Sequence, residues 1–173
     1  MKKVLISLMT TFFVASMLNS VDAYMVYQTT NLGGGRWENN YTIMNDFLAS
    51  DIDEFTVFFD YGLYDNLTVT SPLAGWDEIT VNPALIFGSP DIGFYDALAL
   101  GPGIAPWATM SGFSVSFDWR GAGTPGTQYF EIVDPVSFST LASGFTAPIP
   151  EPGTMILLGI SLSSFWIYHR KRY

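Results

Sequence analysis

Cysteine is absent from this 173-residue chain, and its one histidine stands at position 169. Disulfide scaffolding is thereby excluded, as is a lipidated N-terminal cysteine. Between residues 24 and 150, Ser–His pairs, Cys–His pairs and the common zinc sites cannot be built. Lysine is missing from that stretch too, where Arg36 and Arg120 stand against fourteen acidic residues, a net of −12. So acidic a surface repels nucleic acid and anionic headgroups, and no nucleic-acid partner is expected. It suits solubility, divalent cations, or a neutral or cationic surface partner. Helix periodicity is also lacking over any convincing length between Tyr24 and Ala147.

The basic residues that do occur are gathered at the ends. Met1-Lys2-Lys3 is a positive n-region, Val4 to Leu18 an apolar h-region, and Val21-Asp22-Ala23 places small residues where a signal peptidase reads. Cleavage between Ala23 and Tyr24 is expected, with an uncleaved anchor as the alternative. Residues 1–23 are then a signal peptide that forms an N-terminal signal helix. Residues 24–147 are one exported domain, long enough for a single core.

The tail, residues 148–173, has three physically different parts. Pro148, Pro150 and Pro152 remove backbone donors and favour an extended spacer. The uncharged run 154–168 reads as a short C-terminal transmembrane helix. It would cover roughly 22 Å at ~1.5 Å per residue, against a hydrocarbon core of roughly 30 Å. Local thinning and snorkelling by Arg170, Lys171 and Arg172 close that gap. Trp166 and Tyr168 suit the headgroup zone, and the basic end 169–173 prefers the cytoplasmic side.

Pro150-Glu151-Pro152, a short apolar run and a terminal Arg/Lys cluster in this order resemble the PEP-CTERM sorting signal of Gram-negative bacteria. The family's Pro-Glu-Pro falls on Pro150, Glu151 and Pro152 without a gap, and Gly153 and Thr154 follow. His169 ahead of the basic run is a mild departure. The resemblance implies sorting by an exosortase-like membrane protease-transpeptidase acting near that box, after passage through the secretion machinery to the inner membrane. It also implies an envelope or extracellular destination in an exopolysaccharide or biofilm setting.

Within the exported domain the strand signals are period-two alternations. Phe55, Val57 and Phe59 alternate with Glu54, Thr56 and Phe58 ahead of an Asp60-Tyr61-Gly62 turn. Leu67 to Thr70 is a short β-branched run, and Phe113 to Trp119 alternates cleanly between an apolar and a polar face. Gln128 to Asp134 puts Phe130 and Ile132 on one side, and Val136 to Leu141 is a further short candidate. Turn clusters recur near every ten residues, which predicts an all-β fold, an antiparallel β-sandwich or jelly roll. Short helices are admitted at 41–49 and 95–100. Gly112 to Asp134 also resembles a pattern recurring in β-rich ectodomains that carry this kind of tail, which bears on fold and not on activity.

Motifs that carry chemistry are few. Gly121 to Gly126 fits G-x-G-x-x-G, but a β-rich run follows where a dinucleotide site needs a helix. A hairpin turn is expected there instead. Glu38, Glu78 and Glu131 are the carboxylates a glycosidase would draw on, and nothing in their spacing selects a pair. Asp51, Asp53 and Glu54 offer oxygen ligands for Ca²⁺, yet an acidic lead-in to a strand is the preferred reading. Among the tryptophans, Trp119 is expected in the core, and Trp37 and Trp107 are the surface candidates for sugar stacking. The resulting expectation is a non-enzymatic exported protein with no catalytic residues, cofactor or metal. A carbohydrate- or calcium-binding adhesion module is the alternative, and a glycoside hydrolase ranks below it. Extracellular polysaccharide stands as a candidate partner.

Overall fold

A computed structural model describes residues 24–46 and 48–149. The expected signal segment, the Pro150-Glu151-Pro152 box, the apolar run 154–168 and the basic end 169–173 lie outside the described residues. Among the described residues there is no helix, and so none long and apolar enough to cross a membrane.

Among the described residues twelve strands carry the fold: β1 Tyr24–Gly33, β2 Arg36–Met44, β3 Glu54–Phe59, β4 Tyr64–Val69, β5 Trp76–Val81, β6 Ala84–Ile86, β7 Ser89–Asp91, β8 Gly93–Ala99, β9 Thr109–Trp119, β10 Tyr129–Val133, β11 Thr140–Phe145 and β12 Ala147–Pro148. They form two five-stranded sheets, ordered β12-β1-β2-β9-β4 and β11-β10-β3-β8-β5, plus the β6-β7 hairpin. Every pairing is antiparallel except β1 with β12. The architecture is all-β and consistent with a β-sandwich.

The sheets face each other through aromatic rings. Phe113 of β9 meets Phe55 of β3 and Trp76 of β5 edge-on, each at 4.9 Å between ring centroids. Phe59 of β3 packs on Tyr64 of β4 at 5.1 Å, and Tyr41 of β2 stacks on Tyr95 of β8 at 6.3 Å. Edge-to-face geometry suits the ring quadrupoles, and each buried Phe contributes about 1.5–3 kcal/mol through area alone. In a chain without disulfides this aromatic interior and the ladders hold the sheets together.

The strongest period-two runs form the strands expected of them. In β3 the side chains of Phe55, Val57 and Phe59 are buried, and in β10 so are Phe130 and Ile132. Strand β9 departs from its expected polar face, because Ser114 and Ser116 are buried as well. It runs between β2 and β4, and the Arg36 guanidinium crosses its outer side to donate to Ser116 Oγ at 2.7 Å. Arg36 also pairs with Asp118, and Arg120 with Asp65, both at 3.1 Å. Both arginines of the described residues are thus engaged with carboxylates.

Other expectations are corrected. The short helices admitted at 41–49 and 95–100 do not form: Tyr41–Met44 belongs to β2 and Tyr95–Ala99 to β8. Their β-branched and aromatic side chains alternate inward and pair across sheets, and that burial outweighs any local helix preference. The strand expected at Val136–Leu141 begins only at Thr140. Ahead of it Asp134 caps a turn, accepting from the Val136 and Ser137 N–H groups at 2.8 Å. Residues 121–126 are not a hairpin turn, for β9 and β10 lie in different sheets and the glycine-rich loop crosses between them.

Candidate functional site

The first hairpin, β1–β2, turns at Gly33, Gly34 and Gly35, all at positive φ, where a side chain would be strained. Its inward row pairs Tyr27 with Tyr41, Thr29 with Asn39 and Asn31 with Trp37. Toward the Gly turn this row leaves the aromatic core and becomes polar. Asn39 has no exposure to solvent, so its amide needs partners.

Thr29 donates to the Asn39 Oδ1 at 2.7 Å, and Asn39 Nδ2 donates to the Tyr41 hydroxyl at 3.1 Å. Gln128, just ahead of β10, completes the set. Its Oε1 accepts from Asn39 Nδ2 and the Tyr41 hydroxyl, each at 3.2 Å, and from Thr146 Oγ1 at 3.3 Å. Its Nε2 donates to the Tyr64 hydroxyl at 2.9 Å and to the Gly126 carbonyl. One buried amide therefore links β2 and β4 of one sheet to β10 of the other, and fixes the 124–127 loop. Burial pushes the Tyr41 phenol far above its ordinary range, against the lowering effect of the Asn39 hydrogen bond. Burial likewise pushes Tyr64 up to about 12, opposed by its bond to Gln128. Both phenols are neutral hydrogen-bonding groups at physiological pH.

Above this network the sandwich end opens into a cleft of about 840 Å³. The hairpin contributes Tyr27, Gln28, Thr29, Asn31 and Trp37 to its walls, facing the 124–127 loop and Pro148-Ile149. Pro148 pairs with Tyr27 in β12, and the Ile149 N–H donates to the Tyr27 carbonyl at 2.9 Å. The sheet thus extends into the residues read as spacer, and its last described hydrogen bond falls one residue before Pro150.

The two tryptophans expected at the surface are far apart. Trp37 is half-buried against the core and lines the cleft. Trp107 is 75% exposed in the loop before β9. Because Trp37 pairs with Phe117 and Met44 with Thr109, β2 separates those ends by roughly 23 Å at ~3.3 Å per residue. Trp76 is buried and Trp119 packs partly buried on Tyr64 at 4.9 Å, so the four make no common platform.

The glycosidase carboxylates are scattered likewise. Glu38 pairs beside Ser116 on the sheet holding β9, whereas Glu131 stands on the outer side of β10, where the Tyr129 hydroxyl donates to it at 3.1 Å. Glu78 accepts from the Tyr95 hydroxyl and the Leu73 N–H. No two of these three face each other across a cleft. Asp51 and Asp53 flank Ile52, which bridges to Ile104 by two backbone bonds of 2.9 Å. Among the described residues no group of three or more acidic or histidine side chains is placed to hold a metal ion.

The outer face of the β3–β8 pair gathers charge. Burial raises the Asp96 pKa, a bond from the Thr56 hydroxyl at 2.7 Å partly offsets it, and the Asp77 charge adds to it. Glu54 is raised by burial and then by Asp96. A carboxylate raised in the fold destabilises once ionised, so this cost is present above the folded pKa and relieved as pH falls through it. Asp118 is held low, first by Asn66 and then by Arg36, and Asp134 by its backbone bonds; their contribution is lost only at lower pH. The melting temperature should therefore rise from neutral to mildly acidic pH and turn over below the ordinary carboxylate range. Asp96→Asn, which keeps the acceptor for Thr56, should stabilise at neutral pH by about 1 kcal/mol or less and flatten the rise. Melts across pH check both.

Among solved structures, the chain is similar to a GH20 exo-β-N-acetylglucosaminidase from Vibrio harveyi at 9% identity and TM-score 0.37, covering 75% of this chain but 18% of that one. It is similar to a family 3b carbohydrate-binding module from Clostridium clariflavum at 10% identity and TM-score 0.43, covering 72% and 97%. A third likeness is to the chitin-binding domain of Chi18aC from Streptomyces coelicolor, at 22% identity and TM-score 0.38, covering 64% and 91%. No curated protein matches the chain. The match that bears on identity begins at the second residue of β12: residues 148–171 match the family model of the PEP-CTERM protein-sorting motif.

Proposed function

We propose that this chain is a non-enzymatic envelope or extracellular-matrix protein that is exported, held at the inner membrane by its tail, and processed there by an exosortase-like protease-transpeptidase. The carrying observation is the sorting motif at 148–171. The proposed division is a signal peptide over 1–23, an exported domain from Tyr24, and a sorting tail from Pro148. In this reading the run 154–168 spans the membrane and Arg170, Lys171 and Arg172 stop transfer on the cytoplasmic side. A protease reads extended backbone, and Pro150 and Pro152 hold that form at little entropic cost on binding. The β12 pairing supports this reading, because it delivers the chain in extended form up to Ile149. Extracellular polysaccharide is the proposed surrounding.

Glu151→Ala, or Pro150→Ala with Pro152→Ala, should leave export intact and trap the protein at full length in the inner membrane. Deleting residues 169–173 should release unprocessed protein into the periplasm. Fractionation and mass in a host with the sorting enzyme check this, and N-terminal sequencing should begin at Tyr24. If the box variants are processed like the parent, the tail is an ordinary anchor.

A further inference from the structure

In a domain of net charge −12, the described residues lining the 840 Å³ cleft include no acidic or basic side chain. Its walls are amide, hydroxyl and aromatic. Trp37 is half-buried against the core and also lines the cleft. Opposite it in the β1–β2 register stands Asn31, whose Oδ1 is occupied by the Gly33 N–H at 2.7 Å. The Asn31 Nδ2 is thereby turned to donate elsewhere. Exposed Gln28, Thr124 and Thr127 add donors and acceptors around the same space. Gln128 anchors the far wall through Gly126, so the cleft is preformed.

We propose that this cleft binds an uncharged polysaccharide, with one pyranose ring stacked on Trp37 and its hydroxyls met by Asn31, Gln28 and the Thr124–Thr127 loop. An apolar sugar face needs an aromatic plane, and its ring of hydroxyls needs neutral donors and acceptors in equal supply. Both are present here. An anionic glycan would find no cation in the cleft and would meet the field of fourteen carboxylates around it. A cationic one would find no counter-charge among the described lining residues. Binding of this kind is independent of the sorting proposal, since it rests on residues 27–37 and 124–128 and not on residues beyond 149.

The test is calorimetric titration of the full chain in a non-ionic detergent with three hexasaccharides: cellohexaose, N-acetylated chitohexaose and an alginate hexamer. At least one uncharged oligomer should bind, and the better of the two identifies a glucan or an N-acetylhexosamine ligand. Trp37→Phe, which retains packing, should weaken binding several-fold, and Trp37→Ala by about tenfold or more. The exposed pair Gln28→Ala with Asn31→Ala should cost about three- to tenfold in affinity, with only a small fall in melting temperature from the lost exposed bond between Asn31 Oδ1 and the Gly33 N–H. Trp107→Phe, at the other end of β2, should change nothing. Failure of both uncharged oligomers to bind overturns the proposal. So does binding that survives the Trp37→Phe and Gln28/Asn31 changes intact, binding that follows Trp107, or an alginate response that depends on Trp37.

Discussion

Gln128→Leu should destabilise the protein by about 3–5 kcal/mol, since two or three buried polar groups left unpaired cost about 1–3 kcal/mol each. That is a large share of the roughly 5–15 kcal/mol that separates folded from unfolded domains. Leucine fills much of the space but offers nothing to Asn39 Nδ2, to the hydroxyls of Tyr41 and Tyr64, or to the Gly126 carbonyl. The exposed Gly126 carbonyl can turn to water, but Asn39 and Tyr41 have no exposure and Tyr64 has 6%, and Asn39 Nδ2 and the Tyr41 hydroxyl keep only their mutual bond of 3.1 Å. Gln128→Glu separates shape from chemistry. Its carboxylate can accept from Asn39 and Tyr41 but cannot donate to Gly126, and it buries a charge. That variant should be most stable at low pH, where a protonated carboxyl regains a donor. Urea unfolding at several pH values checks both, with an unchanged slope marking a true stability change. A loss below about 1 kcal/mol for Gln128→Leu would mean the network is an incidental contact.

Phe113→Ala should cost a similar amount, about 3–5 kcal/mol, through a different cause. Phe113 has no exposure and lies where β9 faces the opposite sheet, with the rings of Phe55 and Trp76 edge-on to it. Removing it opens a void between two sheets whose backbones are tied by ladders and cannot collapse inward. The edge-to-face pairs with Phe55 and Trp76 are lost as well, each about 0.5–1.5 kcal/mol beyond area. Phe113→Leu keeps most of the apolar volume and should lose less than half as much. Near-ultraviolet circular dichroism should weaken in Phe113→Ala even where the fold persists, because Trp76 loses a rigid neighbour. Equal stability of the Ala and Leu variants would show that the void closes.

The alternation of Phe55, Val57 and Phe59, and of Phe130 and Ile132, marks its strands in the sequence because each has one inward apolar row and one outward row. That pattern is a property of neighbours two apart, and a sequence carries it openly. The tail is legible for the same reason: a proline spacer, an apolar run and a basic end are local in the chain. The β1–β2 hairpin is harder to read, although Gly33-Gly34-Gly35 between the 24–32 and 36–44 runs is a usable turn signal. Its inward row reads Tyr27, Thr29, Asn31 on one strand and Trp37, Asn39, Tyr41 on the other, which mixes apolar and polar residues. Asn39 is tolerated there because Thr29 and Tyr41 in the hairpin, and Gln128 89 residues on, together satisfy its amide.

Ser114 and Ser116 mislead in the opposite way, since polar residues at alternate positions predict a wet face. Ser116 is buried where the Arg36 guanidinium lies over it, and Ser114 is buried with its hydroxyl unpartnered, on a strand flanked by β2 and β4. The same limit governs the candidate site. Trp37 and Trp107 are equivalent surface candidates in the sequence, and the length of β2 sets them at opposite ends of a sheet. Composition and local order determined the class, the charge and the sorting tail. Which side chains share a cleft was decided by strand order and register, because hydrogen-bonded ladders bring together residues whose separation along the chain carries no trace of their contact.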